Sequence, residues 1–195
     1  HTRSLCDWSS DVCSSDLDRG AGRSPLAPGR SGVIACRFEV PGWGAGLLHC
    51  DGDDLIDLEE TAERRRTGTP GDPPPTATEV MARIAAYLQG DDVAFDDVDI
   101  GPACERLGLT ELQRRMVDTV RTVPRGETAS YREIAELAGH PRAPRSAGAA
   151  CARGPLSIVV PYHRVIRADG GIGEYGELGA ERKRRLLALE GVRAG

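Results

Sequence analysis

"SYREIAELAGHPRAPRSAGAACARG", residues 130–154, reads as two short helices joined by a tight turn. The first opens with a capping-box pattern, Ser130 followed by Glu133, in which hydroxyl and carboxylate exchange hydrogen bonds with each other's backbone amides. Ile134, Leu137 and Ala138 fall on its inward side, and Gly139 supplies a left-handed stop. "HPRAP" makes the turn. The second helix carries almost no bulk, being built on Ala147, Gly148, Ala149, Ala150 and Ala152. Such a slim helix either packs closely on another helix or enters a nucleic-acid groove. Arg145 stands at its start, long enough to reach into a base stack. Arg142 and Arg153 flank it, suitably placed for phosphates. A helix-turn-helix is the expected unit. A regulator that reads base sequence would need polar side chains on the second helix, which has almost none.

Upstream, "TELQRRMVDTVRTVPRGE" (110–127) opens with another capping box, Thr110 and Gln113. Leu112, Met116, Val117 and Val120 form its apolar stripe, and Pro124 and Gly126 end it. "ATEVMARIAAYLQGDD" (77–92) is a third helix, with Val80, Ile84, Tyr87 and Leu88 on one face and Gly90 as its stop. "VAFDDVDI" (93–100) reads as an extended link. "GVIACRFEV" (32–40) alternates with period two, as a half-buried strand does. "GWGAGLLHCDG" and "DDLIDLEE" follow as two more strands, so an antiparallel meander is expected over 31–58. "RRRTGTPGDPPPT" (64–76) reads as a surface loop. Downstream, "LSIVVP" (156–161) is a strand or a buried extended segment, and "VIRADGGIGEYGELG" (165–179) is a Gly-rich loop. "AERKRRLLALEGV" (180–192) is the last helix, with Leu186, Leu187 and Leu189 inward and Gly191 as its stop.

The 195 residues allow one larger domain or two small ones, and 39% apolar content allows a sizeable core. No apolar run approaches the roughly 18 residues of a membrane span, and no stretch reads as a signal peptide. The six cysteines form no Cys-x-x-Cys pair, and "LLHCDGDD" has no metal-ligand spacing, so idle thiols and a cytoplasmic protein are expected. The net charge of −5 hides an asymmetry. Residues 1–109 carry 10 Lys/Arg against 20 Asp/Glu, a net of −10; residues 110–195 carry 15 against 10, a net of +5. Either only the C-terminal half meets a polyanion, or both halves are simply solvated surfaces. Residues 1–30 are rich in Ser, Asp, Gly and Pro with no apolar period. "CDWSSDVCSSDL" within them resembles translated sequencing-adapter DNA and stands outside the fold reasoning.

"VPYHRVIRADG" (160–170) places His163 beside Tyr162, between an apolar run and the Gly-rich loop. With it, five motifs stand in order: "VPRGETASYREIA", "PRSAGAA", "PYHRVI", "GIGEYG" and "LLALEG". Together they resemble the C-terminal domain of the DNA-repair alkyltransferases that act on O6-alkylguanine. A looser likeness, in "ARIAAYLQGDDVAFD", extends the resemblance over roughly 31–192. It implies an α/β (α+β) chain. Residues 31–100 would form a small antiparallel sheet with a helix, ribonuclease-H-like. Residues 101–195 would form a helical, winged helix-turn-helix-like DNA-binding and active-site domain, and 1–30 a segment outside both.

By the same resemblance, Arg145 is the finger that fills the gap left by a flipped guanine, and Tyr131 helps turn that nucleotide out. Flipping is needed because a stacked guanine cannot present its O6 substituent to a closed pocket. Arg142, Ser146, Gly148 and Arg153 join the DNA face. Cys151, Arg164, Val165, Ile172, Gly173 and Tyr175 surround the lesion pocket. His163 and Glu190 match the pair that activates the family's reactive cysteine. The implied partner is double-stranded DNA carrying O6-alkylguanine, bound by a monomer through the minor groove, with no cofactor, metal or membrane.

The chain departs from the family pattern at the reactive position itself. The cysteine is Tyr162 here, and an asparagine that braces the reactive turn is Gly154. The loop around Gly176 and Glu177 is one residue longer. At pH 7 a phenol is about 30-fold less ionised than a thiol, and its oxygen is a poorer nucleophile toward an alkyl carbon. Its ring also reaches farther into the space the alkyl group needs. Tyr162 therefore resembles the state of the alkyltransferase-like proteins, which bind alkylated guanine without transfer and pass it to nucleotide excision repair. The alternatives are a suicide transferase, a generic helix-turn-helix protein, and a defective gene product.

Overall fold

The computed structural model describes residues 32–61, 69–173, 175–176 and 179–193. The adapter-like segment, the Arg64–Arg66 cluster and Glu177 lie outside them. Three strands form the expected meander: β1 (Val33–Val40), β2 (Gly44–Asp51) and β3 (Asp54–Thr61), antiparallel in sequence order. Cys36, Val40, Leu48, Cys50 and Leu58 turn from it into the core. Phe38 lies opposite Gly46, where a Cβ would fall 2.4 Å from the Phe38 ring, so only glycine lets the strands pair there. The expected surface loop 64–76 contributes a two-residue strand, β4 (Thr69–Pro70), parallel to the far edge of β1.

Helix α1 (Pro75–Gln89) covers the sheet. Its stripe of Val80, Ile84, Tyr87 and Leu88 is buried as the period demands, and Gly90, at φ +107°, ends it. A six-residue helix, α2 (Gly101–Arg106), stands where no helix was expected; it is too short to show a period and packs Ala103 and Cys104 near β3. Helix α3 (Glu111–Arg121) has its complete capping box, Thr110 with Gln113, and buries Met116, Val117 and Val120.

Helices α4 (Tyr131–Leu137) and α5 (Pro144–Arg153) form the helix-turn-helix, and α5 packs on both α3 and α4. Ser130 and Glu133 cap α4 reciprocally. One inward assignment fails: Leu137 is 69% exposed, and Ala135 is buried beside Ile134 instead. Two turns of helix bury only a narrow stripe, and Leu137, three residues beyond Ile134 at the C-terminal end, has rotated past it.

"LSIVVP" is neither a regular strand nor simply extended. Leu156 and Ile158 sit at φ +53° and +75°, and only Ser157 and Val160 form a bridge. A single 3-10 turn, Tyr162–Arg164, follows. Two short strands, β5 (Ala129–Ser130) and β6 (Val165–Ile166), then pair in parallel. They tie the start of α4 to the segment after His163. Helix α6 (Gly179–Leu189) buries Leu186 and Leu187, with Leu189 packed against the core. It also buries Lys183, whose Nζ donates to the Val165 carbonyl at 2.5 Å. One apolar cluster runs from Cys36 in the sheet to Leu186 in α6. Among the described residues no helix is long and apolar enough to cross a membrane.

Candidate functional site: a buried carboxylate–histidine pair beneath the helix-turn-helix

Glu190 directly follows α6, and its carboxylate is fully enclosed. Its Oε1 accepts from His163 Nε2 at 3.0 Å, from the Tyr87 hydroxyl at 2.6 Å and from Arg164 Nη2 at 2.8 Å. Arg164 Nε bridges both carboxylate oxygens at 3.1 Å, and Gly126 N donates to Oε2 at 3.3 Å. Arg164 also donates to the Val123 carbonyl at 2.6 Å, so the loop before β5 is joined to the same cluster. A buried carboxylate persists only when so compensated. Burial alone would raise the Glu190 carboxyl; its hydrogen bonds to His163 and Arg164 hold it well below the usual carboxylate range.

His163 is fully buried, and burial lowers its pKa against the pull of Glu190, so the ring is neutral at pH 7. A carboxylate only accepts, so the proton sits on Nε2, as assigned from its partners. Nδ1 is then an acceptor, and it has no hydrogen-bond partner among the described residues. Tyr87 packs near the ring and hydrogen-bonds with Nε2 at 3.1 Å. Burial, followed by its bond to Glu190, raises the Tyr87 phenol, which stays a donor. The sequence sets Tyr87 in an apolar stripe, and nothing in the helical period marks its hydroxyl as a partner of His163, 76 residues away.

Tyr162, one residue before this base, is 3% exposed. Its hydroxyl donates to the Pro155 carbonyl at 3.1 Å. A Cβ on Gly154 would fall 2.0 Å from that hydroxyl and 2.3 Å from Cζ. Gly154 and Tyr162 thus form one packing arrangement: the tyrosine tip occupies the space a side chain at 154 would need.

The remaining candidates fall into two groups. Arg142, Arg145 and Arg153 are exposed along the turn and α5, with Ser146 and Gly148 half-buried on the same helix. Tyr131, the first residue of α4, lies between α5 and the Gly-rich loop. A Cβ on Gly148 would come within 3.9 Å of its ring, and one on Gly173 within 3.7 Å of its hydroxyl. Val165 lies buried in β6, and Ile172 and Tyr175 are buried in the loop, with Gly173 at φ +70° between them. The Tyr175 ring stands edge-on to His163, centroids 6.4 Å apart. Cys151 is half-buried on α5, and burial pushes its thiol up to about 12, which leaves it protonated at neutral pH.

Residues 111–192 match the family model of the 6-O-methylguanine DNA methyltransferase, DNA binding domain. A methylated-DNA–protein-cysteine methyltransferase of Mycolicibacterium paratuberculosis is 42% identical over 151 residues, 74% of this chain and 86% of that protein. The enzyme of that name from Methanothermobacter thermautotrophicus is 43% identical over 122 residues, and the match spans 64% of its length. Mycobacterium tuberculosis OGT, solved in complex with DNA, matches at a TM-score of 0.65 and 36% identity, over 83% of this chain and 95% of that one. With its helix-turn-helix, its buried histidine–glutamate pair and these relatives, the chain belongs to the methylated-DNA–protein-cysteine methyltransferase family.

Proposed function

We propose that this protein recognises O6-alkylguanine in duplex DNA, turns the base out of the stack and holds it without taking the alkyl group. The observation that carries this reading is Tyr162: the acceptor position holds a buried phenol whose hydroxyl is tied to Pro155. The groups that would serve a nucleophile are still present, since Glu190 orients His163 and leaves Nδ1 bare. The half-buried thiol of Cys151 is no substitute, because it is held protonated. The slim α5 carries exposed Arg145 at its start for the gap left by the flipped base, and Tyr131 beside the Gly-rich loop assists the turning. The protein acts as a monomer on DNA, and a lesion held without chemistry has to be passed on, to nucleotide excision repair.

Intact-protein mass after incubation with an O6-methylguanine duplex tests this reading. The mass stays unchanged while the complex forms. A stoichiometric gain of one methyl on any residue overturns it. In the converse variant, Tyr162→Cys, a thiol follows the backbone next to an intact His163–Glu190 pair, and partial methyl gain is the expected result.

A further inference from the structure

Glu60, near the end of β3, has a side chain only 8% exposed that reaches across to the C-terminal half. Its Oε1 accepts from Ser157 Oγ at 3.0 Å and from the Tyr175 hydroxyl at 3.2 Å. Its Oε2 accepts from Arg182 Nε at 2.7 Å. Arg182 in turn donates to the Trp43 carbonyl at 3.2 Å and lies over the Trp43 ring, 4.7 Å from its centroid. One carboxylate of the sheet therefore holds three separate pieces of the C-terminal half: the turn before Tyr162, the Gly-rich loop and α6.

Two of those pieces need holding. Ser157 sits between Leu156 at φ +53° and Ile158 at φ +75°. A β-branched residue at positive φ is strained, and such backbone persists only where its surroundings over-determine it. Four residues after Ile158 the chain reaches Tyr162 and then His163. The second piece, Tyr175, has its hydroxyl on Glu60 and its ring edge against His163. The loop that bears it is rich in glycine and has few side chains of its own to fix its course. Burial and the Glu60 charge keep the Tyr175 phenol well above its ordinary value, so it remains a donor to the carboxylate.

We propose that Glu60 is a positioning residue for the base pocket: from the N-terminal sheet it fixes both the Ser157 turn and the Tyr175 loop in the shape that distinguishes an alkylated guanine from a plain one. This rests on the lesion-recognition reading above. Glu60 touches no DNA; it sets where Tyr175 and the residues leading to Tyr162 stand. The acidic N-terminal half thereby takes part in recognition without meeting the polyanion.

The test is competition binding of O6-methylguanine and guanine duplexes at fixed salt, for the wild type, Glu60→Gln, Tyr175→Phe and the double variant. Glu60→Gln makes the acceptor neutral and sets an amide against Arg182; Tyr175→Phe keeps the ring and removes only its hydroxyl. Each single variant is expected to lower the lesion-to-guanine affinity ratio about tenfold, the scale of a hydrogen bond to a charged group. The double variant should lose no more than Glu60→Gln alone, because the Tyr175 hydroxyl acts through Glu60. Affinity for the plain duplex, and its salt dependence, should not move, whereas a merely destabilised fold would lose both. If Glu60→Gln does not fold, Ser157→Ala and Tyr175→Phe, which each remove one bond to Glu60, carry the test: each must lower the lesion-to-guanine ratio and leave plain-duplex affinity unchanged. A Glu60→Gln protein that discriminates like the wild type overturns this inference alone, as do losses that multiply or that fall equally on plain DNA. A wild type that binds both duplexes equally overturns the lesion reading and this inference with it.

Discussion

Gly154 closes α5 at φ −63°, ψ 145°, a backbone any residue adopts, so conformation does not explain the glycine. The room does: its missing Cβ is the space used by the Tyr162 hydroxyl, and the Ala150 carbonyl stands 2.7 Å from the same point. Gly154→Ala should therefore destabilise the protein by about 1–3 kcal/mol, the usual cost of overpacking. Tyr162→Cys should cost about 3–5 kcal/mol, through the cavity left by a large buried side chain. The two should not add. With the ring gone, the alanine clashes only with the Ala150 carbonyl and partly fills the void. Chemical denaturation of the two single variants and the double gives the coupling, expected to offset at least 1 kcal/mol of the summed cost. Full additivity would mean that the missing Cβ and the tyrosine ring do not compete for the same space.

The helix-turn-helix divides its arginines by position. Arg145 stands at the start of α5 and Arg153 at its end, both exposed. A side chain that replaces a flipped base acts only on the lesion-bound state, so Arg145→Ala should weaken binding to O6-methylguanine DNA by about 1–3 kcal/mol and spare plain duplex. A phosphate contact acts on every sequence alike. Arg153→Ala should weaken both complexes equally and reduce the slope of log affinity against log salt by about 1. Fluorescence anisotropy across a salt series separates the two roles. If both variants lose only salt-dependent, sequence-blind affinity, Arg145 is one more phosphate contact. Neighbouring elements support the arrangement. The β5–β6 pairing joins Ala129 and Ser130, at the start of α4, to Val165 and Ile166, just after His163, so α4 and the buried cluster are tied together.

At the scale of the whole molecule, the Glu190 cluster is expected to make stability depend on pH. His163 is neutral when folded and faces Tyr87, Arg164 and Glu190, with Tyr175 at its edge. Its folded pKa is lowered from about 6.5, so below that pH the unfolded chain takes up a proton that the folded one resists. The stability it contributes is complete above about 6.5 and is lost as pH falls through the folded value. Glu190, also lowered, adds its own loss once pH drops below the ordinary carboxylate value of about 4. The melting temperature should decline from pH 7 to pH 5, and His163→Gln, which keeps a neutral donor to Glu190, should flatten that decline. An unchanged slope in the variant would place the acid sensitivity elsewhere.

Local chemistry is legible in the chain. Both capping boxes, the α1 stripe, the three-stranded meander and the helix-turn-helix follow from periods and caps within about a dozen residues, because each depends on neighbours in sequence. His163 and Glu190 were named from their motifs, and Tyr162 and Gly154 as departures from them. What the chain does not display is which polar groups meet once it is packed. The Tyr87 hydroxyl belongs to an apolar stripe until it lands on Glu190, 103 residues away. Glu60 is one more acidic residue on an alternating strand until it meets Ser157, Tyr175 and Arg182. Leu137 looked like core and lies in solvent, and the Leu156–Ile158 segment looked extended and is coiled. In each case long-range burial decided the outcome: the cost of an unpaired buried polar group, or the space between close-packed elements, overrides local preference and has no local signature.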